Sequence, residues 1–276
     1  MLGVEKLTKL GGGSLPLEQD DWEAAHGMSM PALYAMRAQR YMHDHGVTAA
    51  QLAGVSVKAH RHGVRNPDAQ RQKEFTLEEV MRSRPVADPL TVLQCCPVGD
   101  GASAVVLTSA AAARARGRAD VRVAGSTLVS GRLMTGFRDF TLPEITVRAA
   151  RQAYESAGIG PAEIDVAEVH DAFTIAELLY YEALGLCPRG EAMALLESGA
   201  SSVGGRIPVN PSGGLLAKGH PVGATGVAQI VEIVRQLRGC CGARQVEGAK
   251  VGLAHVTGGG VSGLDQGACA IHIFVR

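Results

Sequence analysis

Apolar positions in this chain follow two spacings, and the switches between them lay out its elements. Leu2–Leu7 reads as a short apolar strand that Gly11-Gly12-Gly13 breaks. Pro31, then Tyr34, Ala38 and Tyr41 at helical spacing, predict an amphipathic helix to about Asp44. Thr48 can cap a second helix through Ala53. Lys58–Pro67 reads as a loop with a turn signal at Asn66-Pro67. Asp100-Gly101-Ala102-Ser103-Ala104 predicts a turn feeding a buried strand, Val105-Val106-Leu107, and the alanine- and arginine-rich run Ser109–Arg118 reads as a helix. From there the order is regular. A strand at Val121–Ser130 precedes a helix at Thr146–Ser156 that Gly158 stops. A strand at Ile164–Val169 runs through His170-Asp171-Ala172-Phe173 into a helix at Thr174–Leu184. Val227, Ile230, Val231, Val234 and Leu237 mark a further helix. Lys250–His255, a glycine turn at Val256–Gly260 and Ala268–Val275 close the chain as strand, turn and strand. Strands alternating with helices give the α/β class.

Composition removes several functions. Twenty-seven basic side chains match 27 acidic ones, so no overall field favours nucleic acid or an anionic membrane. Every apolar run is interrupted well short of a membrane span. The start Met1-Leu2-Gly3-Val4-Glu5-Lys6 lacks the charged-then-apolar form of a secretory signal. Six cysteines, at 95, 96, 187, 240, 241 and 269, fit neither a disulfide framework nor C-x-x-C zinc spacing. Reduced thiols and a cytoplasmic setting are expected. Zinc, nucleic-acid and flavin readings have no motif behind them.

The densest chemistry lies in Ile207–Gln229, a glycine-rich loop that delivers His220 next to Pro221 and just ahead of the helix. Pro221 suits a first helical turn, where a missing N–H costs nothing. Free N–H groups at the helix start make a small polar site around the imidazole, although a turn with a capping histidine has the same spacing. A second histidine, His170, sits where a strand ends and a helix begins, the position at which open α/β sheets place ligands.

These residues carry a family resemblance that covers the whole chain. Gly219-His220-Pro221 resembles the Gly-His-Pro motif of the thiolase superfamily. His170-Asp171-Ala172-Phe173 resembles the signature of its sterol-carrier-protein-type branch, which includes archaeal acetyl-CoA acetyltransferases. Val256-Thr257-Gly258 is similar to the family's Cys-x-Gly turn. The resemblance implies the layered αβαβα fold, with residues 1–119 as a partial first half and 120–276 as the second. It implies a loop domain at about 14–90 whose lysines and arginines cover coenzyme A, though a solvated polar face balanced by acids reads the same way. His220, His170 and the Gly258 N–H take the catalytic positions. Asn210, Ser212, Gly213, Gly214, Phe173 and His60 are expected at the substrate. No permanently bound cofactor is implied, coenzyme A and acyl-CoA being substrates.

Three departures shape the functional expectation. The match to Gly3-Val4-Glu5-Lys6 lies downstream of the family's nucleophilic cysteine loop, so the chain is expected to lack that loop, through a shortened gene or as a separate short subunit. Val256 replaces the Cys-x-Gly cysteine, and Ala172 stands where some relatives have one more. The proton at the acyl α-carbon then falls to His170, His220 or His255, with His255 set back because neighbouring strand residues face opposite ways. Cys95 and Cys96 lack the strand-to-helix elbow that activates a thiol and read as packing residues. The resemblance thus implies an acyl-CoA C-acyltransferase acting on a 3-ketoacyl-CoA such as acetoacetyl-CoA, inactive as this chain alone. It leaves open a retro-aldolase paired with a DUF35-type zinc-ribbon and oligonucleotide-fold protein, and a non-catalytic acyl-CoA-binding subunit. An oligomer is implied in each case, with itself or with a second chain, and an exposed sheet edge is expected to limit solubility.

Overall fold

Two sheets of unequal size share one helix, and that sharing places the histidines. The computed structural model describes residues 1–10, 22–117, 120–132, 138–259 and 266–276. The first part runs β1 (Leu2–Lys6), α1 (Trp22–Ala25), α2 (Met30–His45), α3 (Ala49–Gly63), α4 (Leu77–Arg82), β2 (Pro85–Ala87), β3 (Leu90–Thr91), β4 (Asp100–Ala104) and α5 (Ala110–Ala115). The second runs β5 (Arg122–Ser130), α6 (Glu144–Ala157), β6 (Val166–Glu168), α7 (Thr174–Ala183), α8 (Ala192–Glu197), α9 (Gly214–Ala217), α10 (Val222–Leu237), β7 (Val251–Gly258) and β8 (Ala268–Val275).

The larger sheet has the order β5-β8-β7-β6, with β6 and β7 parallel and the other pairs antiparallel. Strand alternation sorts its side chains onto two faces. Cys269, Ile271, Ile273 and Leu253 join the core that includes Ala149, Ala150 and Ala153 of α6. Val166, Ala254 and Phe274 pack instead with Ile230, Ile233 and Leu237 of α10. The other side of α10 carries a two-stranded antiparallel ribbon of β1 and β4, with Val4 opposite Ala102. Gly3 makes this approach possible, because a Cβ there would sit 2.5 Å from the Gly223 carbonyl oxygen. Ribbon, α10, sheet and α6 stack as successive β, α, β and α layers, the α/β layering that the sequence predicts.

Two local readings are corrected. The stretch Lys58–Pro67 is not a loop throughout, since α3 continues to Gly63. Thr48 and Gln51 form a reciprocal capping box at its start, with N–H to side-chain contacts of 3.2 and 2.9 Å. Polar residues appeared to end its apolar stripe at Ala53, but several of them are buried against partners. Lys58 Nζ lies 2.5 Å from Glu177 Oε1, and His62 Nδ1 lies 2.9 Å from the Asn210 carbonyl. The other correction concerns Asp100–Ala104, which is the strand rather than a turn. Val106 and Leu107 beyond it are 90% and 62% exposed, because the ribbon is only two strands wide among the described residues.

Candidate active site

β6 and α10 each deliver one imidazole to the same cleft. His170 follows the end of β6 by two residues and is buried, while His220 directly precedes Pro221 at the start of α10. The rings meet edge to face, with centroids 4.8 Å apart and planes at 89°. Both line a cleft of about 810 Å³ together with Phe173, Tyr34, Val256 and Gly258. Phe173 stacks on Tyr34 with ring centroids 4.6 Å apart, which makes one wall flat and apolar.

The protons on His220 follow from its neighbours. Its Nδ1 is 2.7 Å from Thr225 Oγ1, and that hydroxyl donates to the Pro221 carbonyl at 3.1 Å. A hydroxyl has one proton, so Thr225 accepts from Nδ1–H. Nε2 is left with its lone pair, bordering the cleft. Burial, with Lys218 next in effect, pulls the His220 pKa down to about 4. His170 is held well below the ordinary histidine value, by burial first and then by His220, His255 and Lys218. Its Nδ1 is buried without a hydrogen-bond partner among the described residues. Two neutral imidazoles therefore face one space, one as a fixed lone-pair donor and one with an unmatched nitrogen.

His255 is not part of that space. It shares β7 with Val256, and alternation turns it toward α6, where Nε2 lies 3.1 Å from Thr146 Oγ1. Its ring lies against Tyr180, and its Nδ1 accepts the His170 backbone N–H at 3.5 Å. Burial lowers its pKa to about 3. It steadies His170 from behind. The expected glycine turn begins later than predicted, because β7 runs to Gly258 and Gly259 takes the positive φ of 82°. Gly260 lies outside the described residues. Among the described residues a Cβ on Gly258 would meet nothing within 4 Å, and Gly258 lines the cleft.

Five residues expected at the substrate lie elsewhere. His60 is fully buried within α3, edge-on to Phe75 and with Nδ1 2.8 Å from the Ser56 carbonyl. Asn210 adopts φ 55°, and its Oδ1 accepts the Val169 N–H while its Nδ2 donates to Glu177. Ser212 gives both its N–H and its hydroxyl to Glu168. Gly213 and Gly214 are buried, and a Cβ on Gly214 would overlap the Asp171 carboxylate. Asn210 and Ser212 rivet the loop of residues 207–214 to β6 and α7 beneath the cleft, while Gly213 lies against Gly63 of α3. The spacing of the loop was informative, but not which side of it would face the ligand.

Cys95 and Cys96 border the cleft as well, which the sequence reading did not foresee. The Cys96 N–H donates to the Ala172 carbonyl and Cys95 bridges Phe173, so the pair braces the residues that follow His170. Burial pushes the Cys95 thiol up to about 11 and the Cys96 thiol up to about 12. Neither is a ready nucleophile.

Fold and site together define a layered α/β protein with two neutral imidazoles at one cleft. Residues 126–266 match the model of the thiolase C-terminal domain-like family. The benzoylsuccinyl-CoA thiolase subunit BbsB of Thauera aromatica is 49% identical over 90% of this chain, which spans 65% of that protein. An acetyl-CoA acetyltransferase of Methanothermobacter thermautotrophicus is 46% identical, covering 99% of this chain and 71% of its own. Among solved structures, the Ltp2-ChsH2(DUF35) aldolase superposes with a TM-score of 0.81 at 29% identity, over 98% of this chain and 71% of that one. The chain belongs to the thiolase family, in the branch of archaeal acetyl-CoA acetyltransferases and sterol carrier protein 2.

Proposed function

We propose that this chain serves acyl-CoA C-acyl transfer of thiolase type, making a 3-ketoacyl-CoA such as acetoacetyl-CoA or cleaving it with coenzyme A. The edge-to-face pair of neutral imidazoles carries this reading. In the proposed reaction a cysteine thiol gives its proton to His220 Nε2, and the thiolate attacks the thioester carbonyl. The carbonyl oxygen becomes an oxyanion, held by the protonated Nε2, by His170 and by the Gly258 N–H. Collapse expels the coenzyme A thiolate and leaves an acyl-enzyme, from which a second acyl-CoA or free coenzyme A takes the acyl group. His220 thus acts as base first and as donor afterwards, the order that its Nδ1–H tautomer requires. With the thiols of Cys95 and Cys96 pushed up, the acylated cysteine is assigned to a segment or partner outside these residues. Residues 1–119 are read as part of a first thiolase half, with about 14–90 over coenzyme A, and 120–276 as the second half. A cytoplasmic oligomer is part of this proposal, on the reading of the cysteines as reduced thiols and on the assembly that the family resemblance implies. Among the described residues no helix is long and apolar enough to cross a membrane.

The test is thiolysis of acetoacetyl-CoA by the chain together with the segment or subunit that supplies the cysteine. Loss of activity in His220→Ala is expected, with acyl-CoA binding weakened. An unchanged rate and unchanged binding would remove the assignment. A second reading has its own support in the similarity to the DUF35-type aldolase. Retro-aldol cleavage in the same cleft would release a ketone or aldehyde without a second thioester, so product analysis separates the two.

A further inference from the structure

We propose that the cleft accepts an acyl-CoA whose acyl group carries a second carboxylate, and that Arg71 holds that carboxylate. This rests on the acyl-CoA reading above and narrows its substrate class. Arg71 lines the same cleft as His170, His220 and Phe173. Its backbone N–H donates to the Ala217 carbonyl at 3.0 Å, which ties it to the end of α9. Its guanidinium is half-buried, yet Nη1 reaches only two neutral carbonyls at long range, Leu216 at 3.4 Å and Cys95 at 3.5 Å. No carboxylate of the described residues lies within 4.0 Å of it. Three other cations differ: Lys58 faces Glu177 at 2.5 Å, Arg244 faces Glu232 at 3.0 Å and Lys218 faces Glu168 at 3.6 Å.

A guanidinium cannot shed its proton, so burial without an acid leaves a charge that only an anion or water can match. The neighbouring thiols of Cys95 and Cys96 supply no counter-charge, being protonated at neutral pH. Position separates this charge from the phosphates of coenzyme A. The Cys95 carbonyl that Nη1 reaches belongs to the residue that bridges Phe173, three positions past His170, which sets the guanidinium beside the segment that follows that imidazole. Coenzyme A carries its phosphates at the far end of the pantetheine arm. A second arginine in the cleft, Arg84, is exposed and also has no carboxylate partner among the described residues, which suits solvated phosphates. The same cleft is walled by the stacked, apolar Phe173 and Tyr34, fitting a short carbon chain with a charged end.

Calorimetric titration of succinyl-CoA, butyryl-CoA and free coenzyme A into the full chain tests the assignment. Wild type is expected to bind succinyl-CoA at least about tenfold more tightly than butyryl-CoA, the scale of one charge-assisted hydrogen-bonded contact. Arg71→Met should erase that preference and leave butyryl-CoA and coenzyme A unchanged, while Arg71→Lys retains part of it. Equal wild-type affinities for the two thioesters would overturn the proposal whether or not the variants fold. So would an equal weakening of all three ligands in Arg71→Met, which would put a coenzyme A phosphate on this side chain. Binding of none of the three would instead sink the acyl-CoA reading, and this proposal with it.

Discussion

Two buried polar centres lie back to back in this protein, and they differ in how completely their atoms are matched. In the interior, Glu177 takes Lys58 and Tyr181 on one oxygen and Asn210 on the other, while Asn210 also holds the Val169 N–H. On the cleft side, among the described residues, His170 Nδ1 has no partner and only Nδ1 of His220 is engaged. Matched groups fix a shape. Groups left unmatched at a cavity wall are available to a ligand, and a folded chain retains few of them.

The contrast can be broken from either side. On the cleft side, His220→Ala should lower thiolysis by the complete enzyme about 10²–10⁴-fold and leave the melting curve of the chain close to wild type. On the interior side, Lys58→Met should cost ~3–5 kcal/mol in denaturant unfolding, because it strands the Glu177 carboxylate away from water. Joint replacement of Lys58 and Glu177 by apolar residues should recover part of that loss.

Finer tests address the imidazoles. Thr225→Val removes the acceptor for Nδ1–H, so nitrogen chemical shifts of His220 should move from one tautomer toward a mixture, with thiolysis about tenfold slower; Thr225→Ser should restore both. Stability should depend on pH with a definite sign. His220 titrates at about 4 in the folded chain against 6.5 when free, so the unfolded chain binds more protons between those values. The urea midpoint should hold above about pH 6.5, decline as pH falls toward 4, and decline less in His220→Gln. His62 and His255, both lowered to about 3, contribute to the slope that remains, as do His170, His60 and His272, which burial also lowers. The smallest effect belongs to the ribbon: Val106→Ser with Leu107→Ser should change stability by no more than about 0.5 kcal/mol each and raise the solubility limit.

Much of the second half was legible because local signals agree with one another. Gly158 in the left-handed region stops α6, and β8 runs Ala268–Val275 as read. His170 and His220 were legible because strand end and helix start fix position by topology. The first half was harder. Ser56, Lys58, His60 and His62 look like a solvated face in one dimension, but each meets a partner from a distant segment or from its own helix. The same limit misplaced Asn210 and Ser212, since a glycine-rich loop has two sides and only packing chooses between them. Arg71 was one basic side chain among many in the stretch at about 14–90 expected over coenzyme A, and nothing in the sequence set it apart, because a missing counter-ion is a property of three dimensions.

The Glu5 carboxylate accepts the Gly223 N–H at 3.2 Å, at the positive end of α10. That same charge draws the His220 pKa upward, against the pull of burial. The opening residues of the polypeptide therefore act as a tuning weight on the imidazole more than 200 positions later. Peeling the ribbon from the helix would leave His220 a poorer proton acceptor before any residue of the cleft had moved.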